Sequence, residues 1–187
     1  MGYRDIGQDV DRVLIGEEEL KEATARLARQ IDEDEKQSDK GLLLLGILKG
    51  SVVFMGDLMK QIKTPMEIDF MKVSSYGAST VSSGELKITL DLMREDLDRY
   101  DVVIVEDIVD SGNTLSKLVN YLRGRGAGSV RTCALLDKPA RRRVEFTPDY
   151  VGIVVPDEFV IGYGLDYDEK YRELPYVGVL KKEIYEK

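Results

Sequence analysis

The stretch that most limits the fold is Val102-Val103-Ile104-Val105, four β-branched residues in a row with no polar alternation. A strand of that kind belongs at the centre of a parallel sheet, with both faces covered. The residues after it are equally informative. Glu106 and Asp107 are expected at the strand's carboxyl end, where open α/β sheets bind ligands, and Asp110-Ser111-Gly112-Asn113-Thr114 forms a small-residue turn whose backbone amides can surround an anion. Leu115, Leu118, Val119 and Leu122 then recur at helical spacing, with Thr114 as the expected N-cap. The positive end of that helix's dipole would point at whatever the turn holds.

The rest of the chain fits the same α/β scheme. Residues 17–36 place Leu20, Ala23, Leu27 and Ile31 on one stripe, the pattern of a surface helix packed by one face. Residues 42–48 form a second unbroken apolar run, Leu-Leu-Leu-Leu-Gly-Ile-Leu, read as another buried parallel strand. A helix is expected from Ser51 with Val52, Met55, Leu58, Met59 and Ile62 as its apolar face, and Pro65 leads into a strand over 66–73. Lys49-Gly50-Ser51 puts a cation, a glycine and a hydroxyl at that helix's start. This is either a second phosphate site or an ordinary turn. Residues 74–84, small and polar, form either a lid closing on substrate or a plain hairpin connection, with Tyr76 favouring the lid. Leu86, Ile88 and Leu90 alternate as a returning antiparallel strand. Strands are also expected over 129–136 and 150–155. The run Arg141-Arg142-Arg143 reads as a solvated turn, whereas Lys138 falls at a strand's carboxyl end. Residues 157–172 mix Tyr, Gly and charge without period. They constitute either a binding surface or an aromatic core.

Composition removes several chemistries. There is no histidine, so imidazole-ligated zinc, Ser/His/Asp triads and histidine bases are excluded, leaving carboxylates, lysines, tyrosines and Mg²⁺. The net charge of −8 argues against a broad nucleic-acid or membrane surface. At 187 residues the chain fits one domain spanning 1–187, a size that buries roughly 70% of the unfolded surface. The lone Cys133 lies in an apolar run and reads as a buried thiol in a reducing cytoplasm. No signal peptide and no run near the ~20 apolar residues of a membrane span is found.

Residues 103–114, two acids followed by Asp-Ser-Gly-Asn-Thr, resemble the phosphoribosyl-diphosphate (PRPP) motif of the type I phosphoribosyltransferases. Leu48-Lys49-Gly50-Ser51, Ser74-Ser75-Tyr76-Gly77, Leu136-Asp137-Lys138-Pro139 and the segment from Phe159 through Tyr167 to Arg172 extend the resemblance over nearly the whole chain, to the hypoxanthine-guanine phosphoribosyltransferases. The resemblance implies a twisted, mainly parallel sheet flanked by helices, with a small hood built from N- and C-terminal segments. It implies that Asp110, Ser111, Gly112, Asn113 and Thr114 cradle the PRPP 5′-phosphate, that Glu106 and Asp107 face the ribose hydroxyls, and that Asp110 is the general base near purine N7. Leu48, Lys49 and Gly50, with a non-proline cis peptide, and Arg172 would take pyrophosphate. Lys138 would donate to the purine 6-oxo group, Phe159 would stack on the base, the Val160 backbone would read its edge, and Ser75 and Tyr76 would belong to the lid. Asp166, also beside the base, would hold Mg²⁺ together with Glu106 and Asp107.

The implied reaction joins PRPP to hypoxanthine or guanine, giving IMP or GMP and pyrophosphate, in a cytoplasmic homodimer or homotetramer that needs no nucleic acid or membrane partner. Asn113 stands where other members often carry a cation, which lowers the expected charge assistance to the phosphate. Two other readings stay open. One is a non-catalytic PRPP-binding regulator, disfavoured by the acidic balance and by the lack of a helix-turn-helix before the core. The other is transfer to a different base such as xanthine, adenine or a pyrimidine.

Overall fold

The computed structural model describes residues 6–75 and 86–186. Its main sheet has six strands in the order β4-β3-β2-β5-β6-β7. These are β2 (Gly41–Ile47), β3 (Met66–Ser75), β4 (Leu86–Leu90), β5 (Tyr100–Val109), β6 (Ser129–Asp137) and β7 (Tyr150–Val154). All neighbouring pairs are parallel except β3 with β4, which puts the one antiparallel strand at an edge. Along β2 and β5 successive side chains point to opposite faces, so an unbroken apolar run fills two cores at once. Leu42, Leu44, Val103 and Val105 pack with helix α1 (Glu17–Glu35) and helix α2 (Val52–Met59). Leu43, Leu45, Val102 and Ile104 pack with helix α3 (Asn113–Gly124) on the other side. Cys133 lies in the first of these cores, where burial pushes its thiol pKa well up. No helix among the described residues is long and apolar enough to cross a membrane.

A second, three-stranded antiparallel sheet, β1-β9-β8, joins β1 (Val10–Ile15) from the start of the chain to β8 (Val160–Ile161) and β9 (Val177–Leu180) from its end. This is the hood of terminal segments. The short helix α4 (Lys182–Tyr185) follows β9. Tyr163 and Tyr171 are buried and donate their hydroxyls to Asp57 Oδ2 (2.6 Å) and Asp9 Oδ2 (2.8 Å), so Tyr171 serves the hood's core while Tyr163 joins the main core against α2.

Three expectations need correcting. The apolar face of α2 is Phe54, Met55 and Leu58, continued by Ile62, while Val52 and Met59 are exposed. At 3.6 residues per turn, positions 54, 58 and 62 form the stripe that meets the sheet, and 52 and 59 fall at its margin. Strand β5 continues to Val109 because β6 keeps pairing with it, Glu106 to Ala134 and Val109 to Asp137, so Glu106 and Asp107 lie inside the strand. The N-cap of α3 is Gly112, in the left-handed region at φ 77°, and Thr114 sits in the first helical turn. Tyr76 and the rest of the expected lid fall outside the described residues, and Ser75 ends β3.

Candidate active site

The carboxyl ends of β2 and β5 and the hood segment around Gly164 meet in a cleft of about 290 Å³, lined among others by Lys49, Gly50, Asp107, Ser111, Asp166 and Arg172. The approach is close enough to need glycine twice. A β-carbon on Gly164, itself at φ 101°, would stand 2.1 Å from the Gly50 carbonyl oxygen. One on Gly50 would overlap the Asp107 carboxylate. The Leu48–Lys49 peptide bond is cis.

The loop after β5 has the form expected of an anion cradle, Asp110-Ser111-Gly112 leading into the N-terminus of α3. Asn113 N–H points back to Ser111 Oγ at 3.3 Å. The loop is fastened from outside by the basic run that sequence reading assigned to solvent. Arg142 is largely buried, donates to the Asp110 carbonyl at 2.7 Å and pairs with the Asp137 carboxylate, while Arg143 N–H donates to the Ser111 carbonyl at 3.0 Å. Three arginines in succession give no period by which the middle one could be recognised as structural. Ser51 bears on the two readings of Lys49-Gly50-Ser51. It is wholly buried and its hydroxyl donates to the Ile47 carbonyl at 2.7 Å, which favours the ordinary turn for this side chain.

Next to the cis peptide, Lys49 Nζ and Arg172 Nη2 both reach Glu169 Oε2, at 3.0 and 3.2 Å, and Arg172 also meets Asp166 Oδ1 at 2.8 Å. The two cations expected from the sequence are therefore neighbours. Glu169, which joins them, was not singled out in the sequence, because its position depends on a left-handed turn at φ 61°.

A second hollow of about 260 Å³ adjoins the first and is lined by Asp107, Asp110, Lys138, Phe159, Val160 and Asp166, among others. Lys138 is buried, donates to the Glu158 carbonyl at 2.9 Å and stands 3.5 Å from Asp110 Oδ1. That carboxylate oxygen is itself buried with no hydrogen-bond partner among the described residues. The Lys138 ammonium is therefore the charge nearest that oxygen, the rest of the Asp110 carboxyl group is exposed in the hollow, and the lysine retains capacity to donate. Phe159 keeps 36% of its surface exposed at the rim.

Burial, reinforced by the neighbouring Asp107 charge, holds the Glu106 carboxyl well above its ordinary range. Burial also raises Asp107, against the Glu106 contact and the Ile108 amide, which lower it. Both therefore gain from hydroxyl or cation partners. Glu106, Asp107 and Asp166 line the same cleft, yet no group of three acidic, cysteine or histidine side chains among the described residues forms a ready metal cage. Hard carboxylates that leave most positions to ligand oxygens and water suit Mg²⁺, which is commonly held by one or two carboxylates plus substrate phosphates.

Residues 14–168 match the model of the phosphoribosyl transferase domain. The chain belongs to the phosphoribosyltransferase family. Among related phosphoribosyltransferases, the hypoxanthine-guanine phosphoribosyltransferase of Bacillus subtilis is 51% identical over 178 residues, covering 95% of this chain and 97% of that one. The bifunctional protein TilS/HprT of Listeria monocytogenes is 52% identical over 184 residues, 98% of this chain, which spans only 28% of that protein's length. A solved hypoxanthine phosphoribosyltransferase from Staphylococcus aureus superposes with a TM-score of 0.90 at 46% identity, over 96% of each chain. The fold is thus the type I phosphoribosyltransferase fold, with the Asp110–Thr114 loop at the carboxyl edge of β5.

Proposed function

We propose that this phosphoribosyltransferase moves the 5-phosphoribosyl group of PRPP to hypoxanthine or guanine, giving IMP or GMP and pyrophosphate, as a purine salvage enzyme. The observation that carries the reading is the pairing of Lys138 and Asp110 at 3.5 Å in a hollow that opens onto the phosphate loop. A buried ammonium donates to a 6-oxo group but finds no acceptor in a 6-amino group, which favours oxopurines over adenine. Asp110, its carboxyl group partly exposed in the hollow, takes the proton from the purine as its ring nitrogen attacks C1′ and the bond from C1′ to pyrophosphate breaks.

The amides of the Asp110–Thr114 loop hold the 5′-phosphate, and Glu106 and Asp107 accept from the ribose hydroxyls. Lys49 and Arg172 gather the charge of the departing pyrophosphate once Glu169 yields them. Asp166, with Glu106 and Asp107 nearby, would hold Mg²⁺, whose charge further neutralises the diphosphate. Assembly as a homodimer or homotetramer in the cytoplasm belongs to the same reading, as does a lid containing Ser75 and Tyr76.

The test is an assay with PRPP and Mg²⁺ against hypoxanthine, guanine, xanthine, adenine and uracil in parallel. Turnover confined to 6-oxopurines supports the reading. Nucleotide formed from adenine or uracil at comparable rate would contradict the role of Lys138, and none from any base would favour a PRPP-binding regulator.

A further inference from the structure

Phe159 is gripped by two other aromatic rings. Tyr185 stacks on it, with centroids 4.8 Å apart and planes at 23°, and Tyr167 meets it edge-on at 5.5 Å and 87°. Tyr185 lies in α4, beyond the stretch matched by the phosphoribosyl transferase domain, 26 positions along the chain from Phe159. Its placement is nonetheless tightly specified. The Leu180 amide donates to the Phe159 carbonyl at 2.9 Å, fixing the strand that leads to α4 against the residue whose ring α4 then covers. The Lys181 amide donates to the Asp9 carbonyl at 3.0 Å, and Lys181 Nζ to the Gln8 carbonyl at 2.7 Å, so the turn between β9 and α4 is tied to the opposite end of the chain.

We infer that Tyr185 is a positioning residue for the purine, setting the plane of Phe159 so that its remaining face meets the base held by Lys138. A phenylalanine ring on a rim, free on both faces, turns about its side-chain torsions and offers the base a face only part of the time. A stacked partner on one side and an edge on another select one ring plane before the base arrives, which removes an ordering cost from binding. The terminal segment thereby acts on base affinity without touching the reacting atoms. The inference rests on the proposed stacking role of Phe159.

The experiment is steady-state kinetics of the full chain carrying Tyr185→Leu, Tyr185→Phe or Phe159→Leu, with hypoxanthine and PRPP varied in turn and thermal unfolding measured alongside. Loss of one aromatic stack corresponds to a rise of about 2- to 10-fold in the hypoxanthine KM of Tyr185→Leu. The KM for PRPP, kcat and the unfolding midpoint should hold, and Tyr185→Phe should match the parent enzyme. A hypoxanthine KM unchanged in Tyr185→Leu, while Phe159→Leu raises it, overturns this inference and leaves the stacking reading intact. A lowered KM would make Tyr185 an obstacle in the base's place and also overturns it. An unchanged KM in Phe159→Leu removes the stacking role and this inference with it. If Tyr185→Leu unfolds early, Tyr185→Met replaces it and is read by the same split between the two KM values.

Discussion

A β-carbon on Gly50 would stand 1.6 Å from Asp107 Oδ2 and 2.5 Å from its Cγ. The loop after β2 and the acid inside β5 are thus packed to the limit of what a glycine allows, and any side chain at 50 must push the Asp107 carboxylate or the loop aside. Asp107 has little room to yield, since it is buried and its Oδ1 accepts from the Ile108 amide at 2.8 Å. Gly50→Ala should therefore misplace the Leu48–Gly50 loop by about 1 Å, a displacement that costs on the order of 100-fold in rate. Steady-state kinetics with PRPP varied would check this, and a kcat/KM near that of the parent would mean that the loop relaxes freely.

Lys138 and Asp110, 3.5 Å apart in one hollow, have two different roles in the proposed reaction. On the proposed reading, Lys138→Ala removes a donor to the base but nothing that holds the 5′-phosphate. We expect kcat/KM for hypoxanthine to fall by about 10- to 100-fold, the range for a lost hydrogen bond from a charged donor, while PRPP affinity is held. Asp110→Asn should leave PRPP affinity largely intact as well, yet lower turnover by about 100-fold or more, because a neutral amide takes no proton. Equilibrium binding of PRPP beside the kinetics distinguishes these outcomes, and a parallel loss of PRPP affinity in either variant would refute the division of labour.

Asp32 supplies a prediction about acid stability. It accepts from the Thr64 amide (2.9 Å) and hydroxyl (2.8 Å) and from the Lys63 amide (3.0 Å), tying α1 to the turn that enters β3. Burial works to raise its pKa, but the Thr64 and Lys63 bonds outweigh it and hold the carboxyl below its ordinary value. A carboxylate with a depressed folded-state pKa contributes stability above its unfolded value, about 3.9, and loses it as pH falls through the folded value. Asp32→Ala should thus destabilise the protein by about 1–2 kcal/mol at neutral pH and by progressively less below pH ~3.9. Urea unfolding of both proteins between neutral and acidic pH is the measurement; a difference constant with pH would show that the charge is irrelevant.

How far the sequence could be read depends on where information is local. Val102–Val105 and Leu42–Leu45 announce central strands because side-chain alternation forces both faces to be apolar, and the Asp-Ser-Gly-Asn-Thr turn carries its own conformational demand at Gly112. The hood resists such reading. β8 has only two residues, too few for a period, and the segment beyond it holds Tyr163, Asp168, Glu169 and Tyr171 at positive φ, a backbone path that no propensity announces. Glu169 and Arg142 were missed for that reason and a related one. Each is polar, each looks solvated in sequence, and its partner is set by tertiary approach alone.

Arg142 gives that lesson an experimental form. Its guanidinium pairs with Asp137 and also donates to the Asp110 carbonyl, so one side chain serves both stability and the shape of the Asp110–Thr114 loop. Arg142→Ala strands the nearly buried Asp137 carboxylate, and losing one partner of such a pair costs about 3–5 kcal/mol. It should also raise the PRPP KM on the order of tenfold, because the loop carbonyl loses its charged donor. The two effects part company in Arg142→Met combined with Asp137→Leu. Replacing both charges by apolar groups removes the stranded carboxylate and should recover most of the stability, whereas the Asp110 carbonyl still lacks its donor and the PRPP KM should stay high. Urea unfolding and PRPP kinetics on both variants decide the matter. If the KM recovered together with the stability, Arg142 would hold the loop only by keeping the chain folded, and its bond to Asp110 would have no part in binding.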